Sequence, residues 1–381
     1  MATRRTPLAW RNLTHDKVTL FVSSGAVAFA VLIMFMEVGF LNGLYDSQTG
    51  ILQALRADFV MVSRSLHILN THETFPLVRL EQVQALPGVK AVYPIYLEDL
   101  ASDLRNPANG DRNGIRVLAF EPQTPVWQSS TLNEVSDHLR PLRTIAFDRK
   151  SRSLFGQFRA GMKTELADRA VVVADTFALG PDYYYDGNVL TSIDTFFNLF
   201  PFRRRADVFA GVIQLENGAS GAAFQRAVEQ LGAPEVDVFS KADLIAREQR
   251  TWQKATPAGY VFTMGVAVGF IIGVFICYQI LYTDIADHLP QLATMKALGY
   301  QNGDLRRLVL QQAILLGLLG FLPALLLTFG LYEILTFLTG IVTRLTAGRV
   351  ALVFALTITM CFVSGFLAVR KALTADPAEL F

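Results

Sequence analysis

The sequence predicts a membrane protein with four transmembrane α-helices and a large α/β extracytoplasmic domain inserted between helices 1 and 2. Three observations predict this fold class. Four long apolar runs carry no charged residue. Only 18% of the 381 residues are charged, against about 25% in an average soluble domain. Between the first and second runs, strand-like and helix-like patterns alternate over more than half of the chain.

The four apolar runs have the length that a transmembrane helix needs, because ~20 apolar residues cross the ~30 Å hydrocarbon core. The runs are Val18–Met36, Val261–Tyr282, Leu308–Tyr332 and Val350–Val369. We therefore predict transmembrane helices at 18–45, 258–283, 308–340 and 350–369. The other predicted segments are an amphipathic N-terminal segment 1–17, the outer domain 46–257, a cytoplasmic loop 284–307, a short outer loop 341–349 and a cytoplasmic tail 370–381.

The basic residues predict the orientation, because lysine and arginine concentrate in cytoplasmic loops. They precede the first run, separate the second from the third, and follow the fourth. Four crossings place these three segments on one side, so both termini are predicted to be cytoplasmic. The residues concerned are Arg4, Arg5, Arg11, Lys17, Lys296, Arg306, Arg307, Arg370 and Lys371.

The ionisable residues of the predicted helices lie near their ends. Glu37 and Glu333 reach the outer ends of the first and third helices at about 1.5 Å of rise per residue. Charged groups at mid-membrane depth mark ion and proton paths. The sequence therefore argues against a proton-coupled transporter and against a polar channel.

Three glycines of the second run share one helix face. Gly265, Gly269 and Gly273 repeat at the small-xxx-small spacing that lets helix backbones approach closely. We expect this face to be a helix-packing seam with another span or with a second copy of the chain. Ordinary tolerance of glycine in membrane helices is the alternative.

The outer domain reads as two β-α-β units with an insertion at about 121–205. A helix at Leu80–Leu86 and a helix at Gly221–Leu231 are each preceded by a strand and followed by a turn and another strand. Strand patterns fall at Asp58–Val62, Val89–Tyr93, Ile115–Phe120, Ala170–Val173, Asp207–Leu215 and Val236–Phe239.

The insertion contains a cluster of four phenylalanines, Phe196, Phe197, Phe200 and Phe202. Clustered aromatic side chains form an exposed patch for a partner or an amphiphilic substrate in some proteins. In others they fill a small core, and the sequence leaves both interpretations open.

The motifs for catalysis and cofactor binding do not fit. Gly156–Thr164 resembles a phosphate loop, but Met162 separates Gly161 from Lys163, which the motif requires to be adjacent. His67, His72 and Glu73 have a spacing that favours loop histidines over a metal site. The net charge of +1 says nothing about nucleic-acid or acidic partners, and we expect no nucleic-acid partner. We expect a non-catalytic subunit that has no metal or cofactor of its own.

A polar segment between the second and third runs is predicted to form a short capped helix from Pro290 to Gly299. Proline suits the first helical turn and glycine ends a helix. Leu292, Met295 and Leu298 form its apolar edge. Asn302-Gly303 is predicted to turn the chain before the third span. We expect this segment to dock into a groove of a cytoplasmic partner and to pass force to two spans. A simple connector between the spans is the alternative.

These residues resemble a known family. The stretch Leu292–Tyr300, with Lys296-Ala297-Leu298-Gly299 at its centre, resembles the coupling-helix motif of MacB/FtsX-like (type VII) ABC transporter permeases. Leu8–Leu13 resembles the segment before their first span, and Asp376–Leu380 resembles their closing tail. Among them the chain is most similar to DevC-type permeases, on Tyr282–Pro290, Gly88–Pro94, Arg105–Pro107 and Ile115–Phe120.

The resemblance implies a mechanotransmission role in the bacterial inner membrane. It implies a homodimer in membrane lipid, a separate ABC ATPase that holds ATP and Mg²⁺, a periplasmic membrane-fusion adaptor and a TolC-like outer-membrane protein. Efflux of a glycolipid or another amphiphile is the expected activity. Gln291 departs from the glutamate of many relatives, which removes one charge from the predicted contact. The ATPase-coupling residues it implies are Pro290, Gln291, Leu292, Met295, Lys296, Ala297, Leu298 and Gly299.

Two other functions share the coupling helix. One is an FtsX-like regulator that moves its outer domain to activate a cell-wall hydrolase, and such proteins usually have a smaller outer domain. The other is a lipoprotein-releasing ABC subunit, which more often pairs with a non-identical partner.

Overall fold

The computed structural model describes residues 16–255, 257–287, 302–339 and 343–374. Its helices are α1 (Lys17–Gln48), α2 (Gly50–Ala54), α3 (Leu77–Gln84), α4 (Ser130–Asp137), α5 (Ile193–Leu199), α6 (Gly221–Gln230), α7 (Lys241–Ala255), α8 (Pro257–Asp287), α9 (Asn302–Thr339) and α10 (Ala347–Thr374). A 3-10 turn covers Ser153–Phe155.

The strands are β1 (Phe59–Ser63), β2 (Phe75–Pro76), β3 (Val89–Glu98), β4 (Asp103–Arg105), β5 (Arg112–Gly114), β6 (Arg116–Phe120), β7 (Thr144–Asp148), β8 (Lys163–Leu166), β9 (Arg169–Phe177), β10 (Asn188–Ser192), β11 (Asp207–Val208), β12 (Ala210–Leu215) and β13 (Val236–Ser240). Each strand pattern predicted from the sequence overlaps one or two of these strands.

The chain divides into two compact units. The membrane unit contains α1 up to residue 42, α8, α9 up to residue 337, and α10. Among the described residues, the α/β domain contains 43–255, 338 and 339. The large α/β domain therefore lies between the first and second long helices, as predicted.

Four helices of the described chain are long and apolar enough to cross a membrane. They are Lys17–Gln48, Gly259–Asp287, Arg306–Leu338 and Ala347–Arg370. Each of these helices contains one of the predicted runs. The regular helices extend beyond the runs, because charged and polar residues at the ends of a run continue the same backbone hydrogen-bond ladder.

One part of the α/β domain is a split β-α-β arrangement of the ferredoxin-like type. It is formed by the first and last segments of the domain's sequence. Its four strands lie in the order β13-β1-β12-β3, and each neighbouring pair is antiparallel. Helix α3 connects β1 to β3, and α6 connects β12 to β13. Each connection passes over one strand of the other β-α-β segment. The strands of the two β-α-β segments therefore alternate within one sheet.

Helices cover both faces of these four strands. Phe59 and Met61 of β1 pack into the same core as Leu80 of α3 and Phe224 of α6. Val60 and Val62 alternate to the opposite face, which packs into a second core that includes α7. This two-sided cover explains why all five residues of β1 are buried.

The chain between β3 and β12 continues the same sheet. Strands β6, β10, β7, β9, β8, β4 and β5 follow β3 in that order. Strand β10 is parallel to β6 and antiparallel to β7. The eleven-stranded sheet therefore runs through both halves of the α/β domain.

Candidate functional site

The glycine face of α8 packs against α1. A Cβ atom added at Gly269 would lie 3.2 Å from Cγ2 of Ile33 and 3.6 Å from Cγ of Met34. One added at Gly273 would lie 3.3 Å from the Ala30 Cβ. These distances are at or below ordinary van der Waals contact, so glycine permits the close approach. The seam partner is therefore the first span of the same chain.

The ends of this seam meet other side chains of the membrane unit. Gly265 lies against the carboxylate of Glu37, and Gly273 also lies against the Met360 sulfur of α10. The Ser364 hydroxyl of α10 donates to the Val274 carbonyl of α8 at 2.8 Å. The second span is thus held by the first span on one side and by the fourth on another.

A tyrosine connects the first and third spans. The Tyr332 hydroxyl of α9 donates to the Phe35 carbonyl of α1 at 2.5 Å. Its ring occupies the space beside Gly39, where a Cβ would collide with it. A buried hydroxyl in hydrocarbon needs such a partner.

The predicted coupling helix lies outside the described residues, which end at Asp287 on one side and resume at Asn302 on the other. Its role therefore stays a prediction. The predicted turn at Asn302-Gly303 is wrong, because both residues belong to α9. Asparagine is favoured where a helix begins, and here that preference prevails over the turn tendency of Asn-Gly.

Helix α7, which precedes α8 in the chain, is fixed within the α/β domain by buried polar contacts. The Glu248 carboxylate accepts from the Leu69 backbone N–H at 3.1 Å and from the Trp252 indole N–H at 3.0 Å. The Arg247 guanidinium donates to the Leu66 carbonyl at 2.6 Å. Burial raises the pKa of Glu248, although both hydrogen bonds and Arg247 oppose the shift. These contacts tie the last turns of α7 to the segment after β1.

The four predicted patch phenylalanines do not share one exposed surface. Phe196 and Phe200 are buried in the core of the α/β domain, and Phe197 is half-buried. Phe202 alone of the four is exposed, and the Arg203 guanidinium lies over its ring. An exposed patch formed by all four is therefore wrong, because α5 and the residue that ends it bury Phe196 and Phe200 in the core.

A buried charged cluster was not predicted. Arg116 of β6 pairs with Asp182 at 2.6 Å and donates to the Asn188 amide oxygen from Nε at 2.9 Å. The Asn188 amide in turn donates to Asp148 at 2.9 Å. One arginine inside the apolar stretch Ile115–Phe120 was the available sequence signal, but its partners are too distant in sequence to identify.

His72, which lies in the pattern considered for a metal site, contacts the Asp99 carboxylate. His67 is exposed. Within the described ranges, no group of three or more His, Cys, Asp or Glu side chains is arranged to hold a metal ion.

Comparison with known proteins gives one family. Residues 263–377 match the model of the FtsX family, described as the FtsX-like permease C-terminal domain. The match covers most of the second long helix and all of the third and fourth. No protein with a curated description matches the chain.

Three solved structures are similar to the chain. The periplasmic region of MacB from Actinobacillus actinomycetemcomitans has 10% identity and a TM-score of 0.36, over 54% of this chain and 97% of that one. The extracellular domain of the ABC-type transporter YknZ from Gram-positive bacteria has 10% identity and a TM-score of 0.33, over 48% and 99%. A domain of a permease protein from Porphyromonas gingivalis has 17% identity and a TM-score of 0.31, over 50% and 97%.

The family match agrees with the sequence resemblance over residues 263–377. It includes most of α8, whose packing against α1 and α10 was described above, and it spans the predicted coupling segment. Residues 263–377 of this chain are thus similar to the C-terminal domain of FtsX-like permeases.

Proposed function

We propose that this chain is the permease subunit of a tripartite ABC exporter. In this proposal a separate cytoplasmic ATPase docks on Pro290–Gly299 of each copy in a homodimer. ATP-driven movement passes through the spans to the α/β domain, which acts on a periplasmic adaptor and an outer-membrane duct. The cargo is a glycolipid or another amphiphile.

The observation that carries this proposal is the match of residues 263–377 to FtsX-like permeases. The position of the large α/β domain between the first and second spans supports it, because force from a cytoplasmic partner must reach a domain outside the membrane core. A channel through the spans is not required, since the four apolar runs carry no charge.

Helix α8 is the element best placed to transmit movement. It ends at Asp287, just before the predicted coupling helix, and begins at Pro257, just after α7. The glycine seam couples α8 to α1, while Glu248 and Arg247 couple α7 to the α/β domain. A displacement at the cytoplasmic end of α8 would therefore pass to α1 through side-chain packing and to α7 through the covalent chain.

The homodimer in this proposal uses a surface other than the glycine seam, because α1 already fills that seam. A second face of α8 exposes apolar side chains at helical spacing. They are Val261, Met264, Val268, Ile271 and Phe275.

The test is co-purification of the ATPase with variants of the predicted coupling helix. Leu292→Asp and Met295→Asp place a charge on its apolar edge, so we expect at least a tenfold loss of bound ATPase. Gln301→Asp, just outside that helix, is the matched control and should retain binding. Normal co-purification with both edge variants would overturn the docking role.

Mass spectrometry of the partners captured from native membranes separates export from regulation. An ATPase together with a membrane-fusion adaptor supports the exporter. An ATPase with a cell-wall hydrolase and no adaptor contradicts it and favours the FtsX-like regulator.

A further inference from the structure

Strand β13 forms one edge of the eleven-stranded sheet. In the part of the chain that the structure describes, the strand order begins at β13 and ends at β5, so each of these strands has a neighbour on one side only. Strand β5 has three residues, and its Arg112 forms ion pairs with Glu165 and Asp168. Short and charged edge strands resist pairing with another chain. Strand β13 has five residues, of which three are apolar, so it lacks that protection.

The backbone of β13 carries hydrogen-bonding groups that point away from the sheet. Glu235, one residue before the strand, accepts from the Arg64 N–H at 2.9 Å. In an antiparallel ladder, hydrogen-bonded residues alternate with residues that make no bond to the neighbouring strand. The next hydrogen-bonded residue is therefore Asp237, which pairs with β1. The N–H and C=O groups of Val236 and Val238 consequently point to the free edge.

A cavity of about 610 Å³ lies beside this edge, and four consecutive residues of β13, Val236 to Phe239, line it. Val236 and Val238 pack into one core of the domain and Phe239 into the other, because successive side chains of a strand alternate. A cavity that touches both sets therefore reaches across the edge of the strand. Helices α3 and α6 supply its other walls.

The lining of the cavity favours an uncharged occupant. Val83 of α3 and Val228 of α6 contribute apolar surface. The Arg64 guanidinium donates to the Asp237 carboxylate at 2.9 Å and to the Val236 carbonyl at 3.2 Å. Because the Arg64 side chain is 55% exposed, a backbone N–H of a partner can take its place on that carbonyl. The charges of the lining residues cancel, since these are Arg64, Arg79, Glu229 and Asp237.

We propose that the free edge of β13 binds an extended, uncharged segment of a partner protein, which pairs with Val236 and Val238 as an added strand. Backbone hydrogen bonds supply the affinity, and alternate side chains of the segment enter the cavity beside α6. A single extended segment fits beside these helices, whereas a second copy of β13 would bring its own α6 to the edge. All residues of this site belong to the α/β domain, and the contact does not depend on the ATPase or on the cargo.

The test tethers a defined peptide beside the edge and measures whether it pairs. Glu229, exposed on α6 in the cavity wall, is changed by Glu229→Cys in the full chain that also carries Cys277→Ala and Cys361→Ala. The valine peptide is acetyl-Cys-Gly-Gly-Thr-Val-Thr-Val-Thr-amide. The proline peptide has proline in place of both valines, which removes N–H groups that an added strand needs. Exchange with glutathione, followed by mass spectrometry, gives the equilibrium constant of the mixed disulfide for each peptide.

We expect the constant to be at least fivefold larger for the valine peptide than for the proline peptide. Val238→Pro should abolish this difference, because it removes an outward N–H and leaves the hydrogen bonds between β13 and β1 in place. Val238→Ala is the matched control. It loses the same side-chain contacts but keeps the N–H, so the difference between the peptides should remain.

Equal constants for the two peptides on the Glu229→Cys chain would overturn the proposal, as would a Val238→Pro variant that behaves like Val238→Ala. Disulfide-linked dimers that form in preference to both mixed disulfides would also overturn it, and would assign the edge to a second copy of the chain. If Val238→Pro fails to fold by gel filtration, the comparison of the two peptides on the Glu229→Cys chain decides alone.

Discussion

A single buried arginine organises one side of the α/β domain. The Arg116 and Asp182 side chains are 4% and 1% exposed. Asn188 supplies a further acceptor, and the Tyr185 ring lies against the guanidinium. Because both side chains are shielded from water, each charge is stabilised by the other. Removal of one therefore leaves an uncompensated buried charge.

Arg116→Ala should destabilise the α/β domain by about 3–5 kcal/mol, the usual effect of breaking a buried pair from one side. Arg64→Ala is the matched control. Its pair with Asp237 has side chains that are 55% and 29% exposed, and surface pairs contribute about 0–1 kcal/mol. Urea unfolding of the full chain in detergent, followed by tryptophan fluorescence, measures both. Equal losses for the two variants would contradict this account.

Glu248 should make stability depend on pH. Burial raises its pKa above the usual 4.5, Arg247 lowers it and Asp182 raises it further. The folded state therefore holds a proton to higher pH than the unfolded state does. Stability falls as pH rises from about 4.5 through the folded pKa, because ionisation inside the domain is unfavourable.

Glu248→Gln removes this loss while an amide oxygen remains to accept from Leu69 and Trp252. We expect the variant to have the higher Tm at pH 7.5 and the difference to vanish near pH 4. In a domain of this size a shift of about 2–4 °C corresponds to 1 kcal/mol. Thermal scans of both proteins from pH 4 to 8 provide the measurement. A difference in Tm that does not change with pH would contradict the assignment.

Among the elements, the seam between α1 and α8 depends most directly on small residues. Gly269→Leu would force a branched side chain against Ile33 and Met34, where even a Cβ meets Ile33 at 3.2 Å. Overpacking of this kind costs about 1–3 kcal/mol. The variant should therefore lose thermal stability in detergent. Its dimer fraction should stay unchanged, because the seam lies within one chain.

Gly330→Leu is the matched control for the seam. Gly330 lies in the third span, and a Cβ added there would meet no atom within 4 Å. Its Tm should stay close to that of the parent protein. If both leucine variants lower the Tm equally, larger residues destabilise any span of this protein. The close packing at the glycine seam would then not explain the loss.

The elements differ in how far the sequence determines them. A span is defined by one continuous run of apolar residues, so all four were predictable. The glycine face was also visible, but its partners Ala30 and Ile33 are more than two hundred residues away, and helical spacing alone does not identify them. The interlocking of β1 and β12 depends on pairs such as Phe59 with Ile213. Alternation predicts strands without predicting which strands meet.

The same limit applies to the aromatic residues. Phe196 and Phe200 are buried, while Tyr183 and Tyr184 are exposed. Both groups are clusters of large rings within the same insertion. Burial is decided by the backbone that carries them, a short helix over the core for the phenylalanines and, for the tyrosines, a loop in which Asp182 accepts from the Tyr184 N–H. Composition alone could not separate the two cases.

At the scale of the whole molecule, the α/β domain is inserted into the membrane unit through chain connections on both sides. Helix α1 enters it, and α7 leads out of it into α8. The contacts of Glu248 and Arg247 make α7 part of the domain, whereas the glycine seam makes α8 part of the membrane unit. If the permease transmits force as proposed, the junction after Ala255 must be stiff.

Insertion of four glycines directly after Ala255 should break this transmission without breaking either unit. Flexible glycine linkers do not carry a bending load, so the ATPase should still bind and hydrolyse ATP while amphiphile export from cells falls at least tenfold. The same insertion after Asn109, in the exposed loop between β4 and β5, is the control and should leave export intact. Undiminished export after the Ala255 insertion would mean that movement reaches the α/β domain by another path, with α1 as the remaining connection to examine.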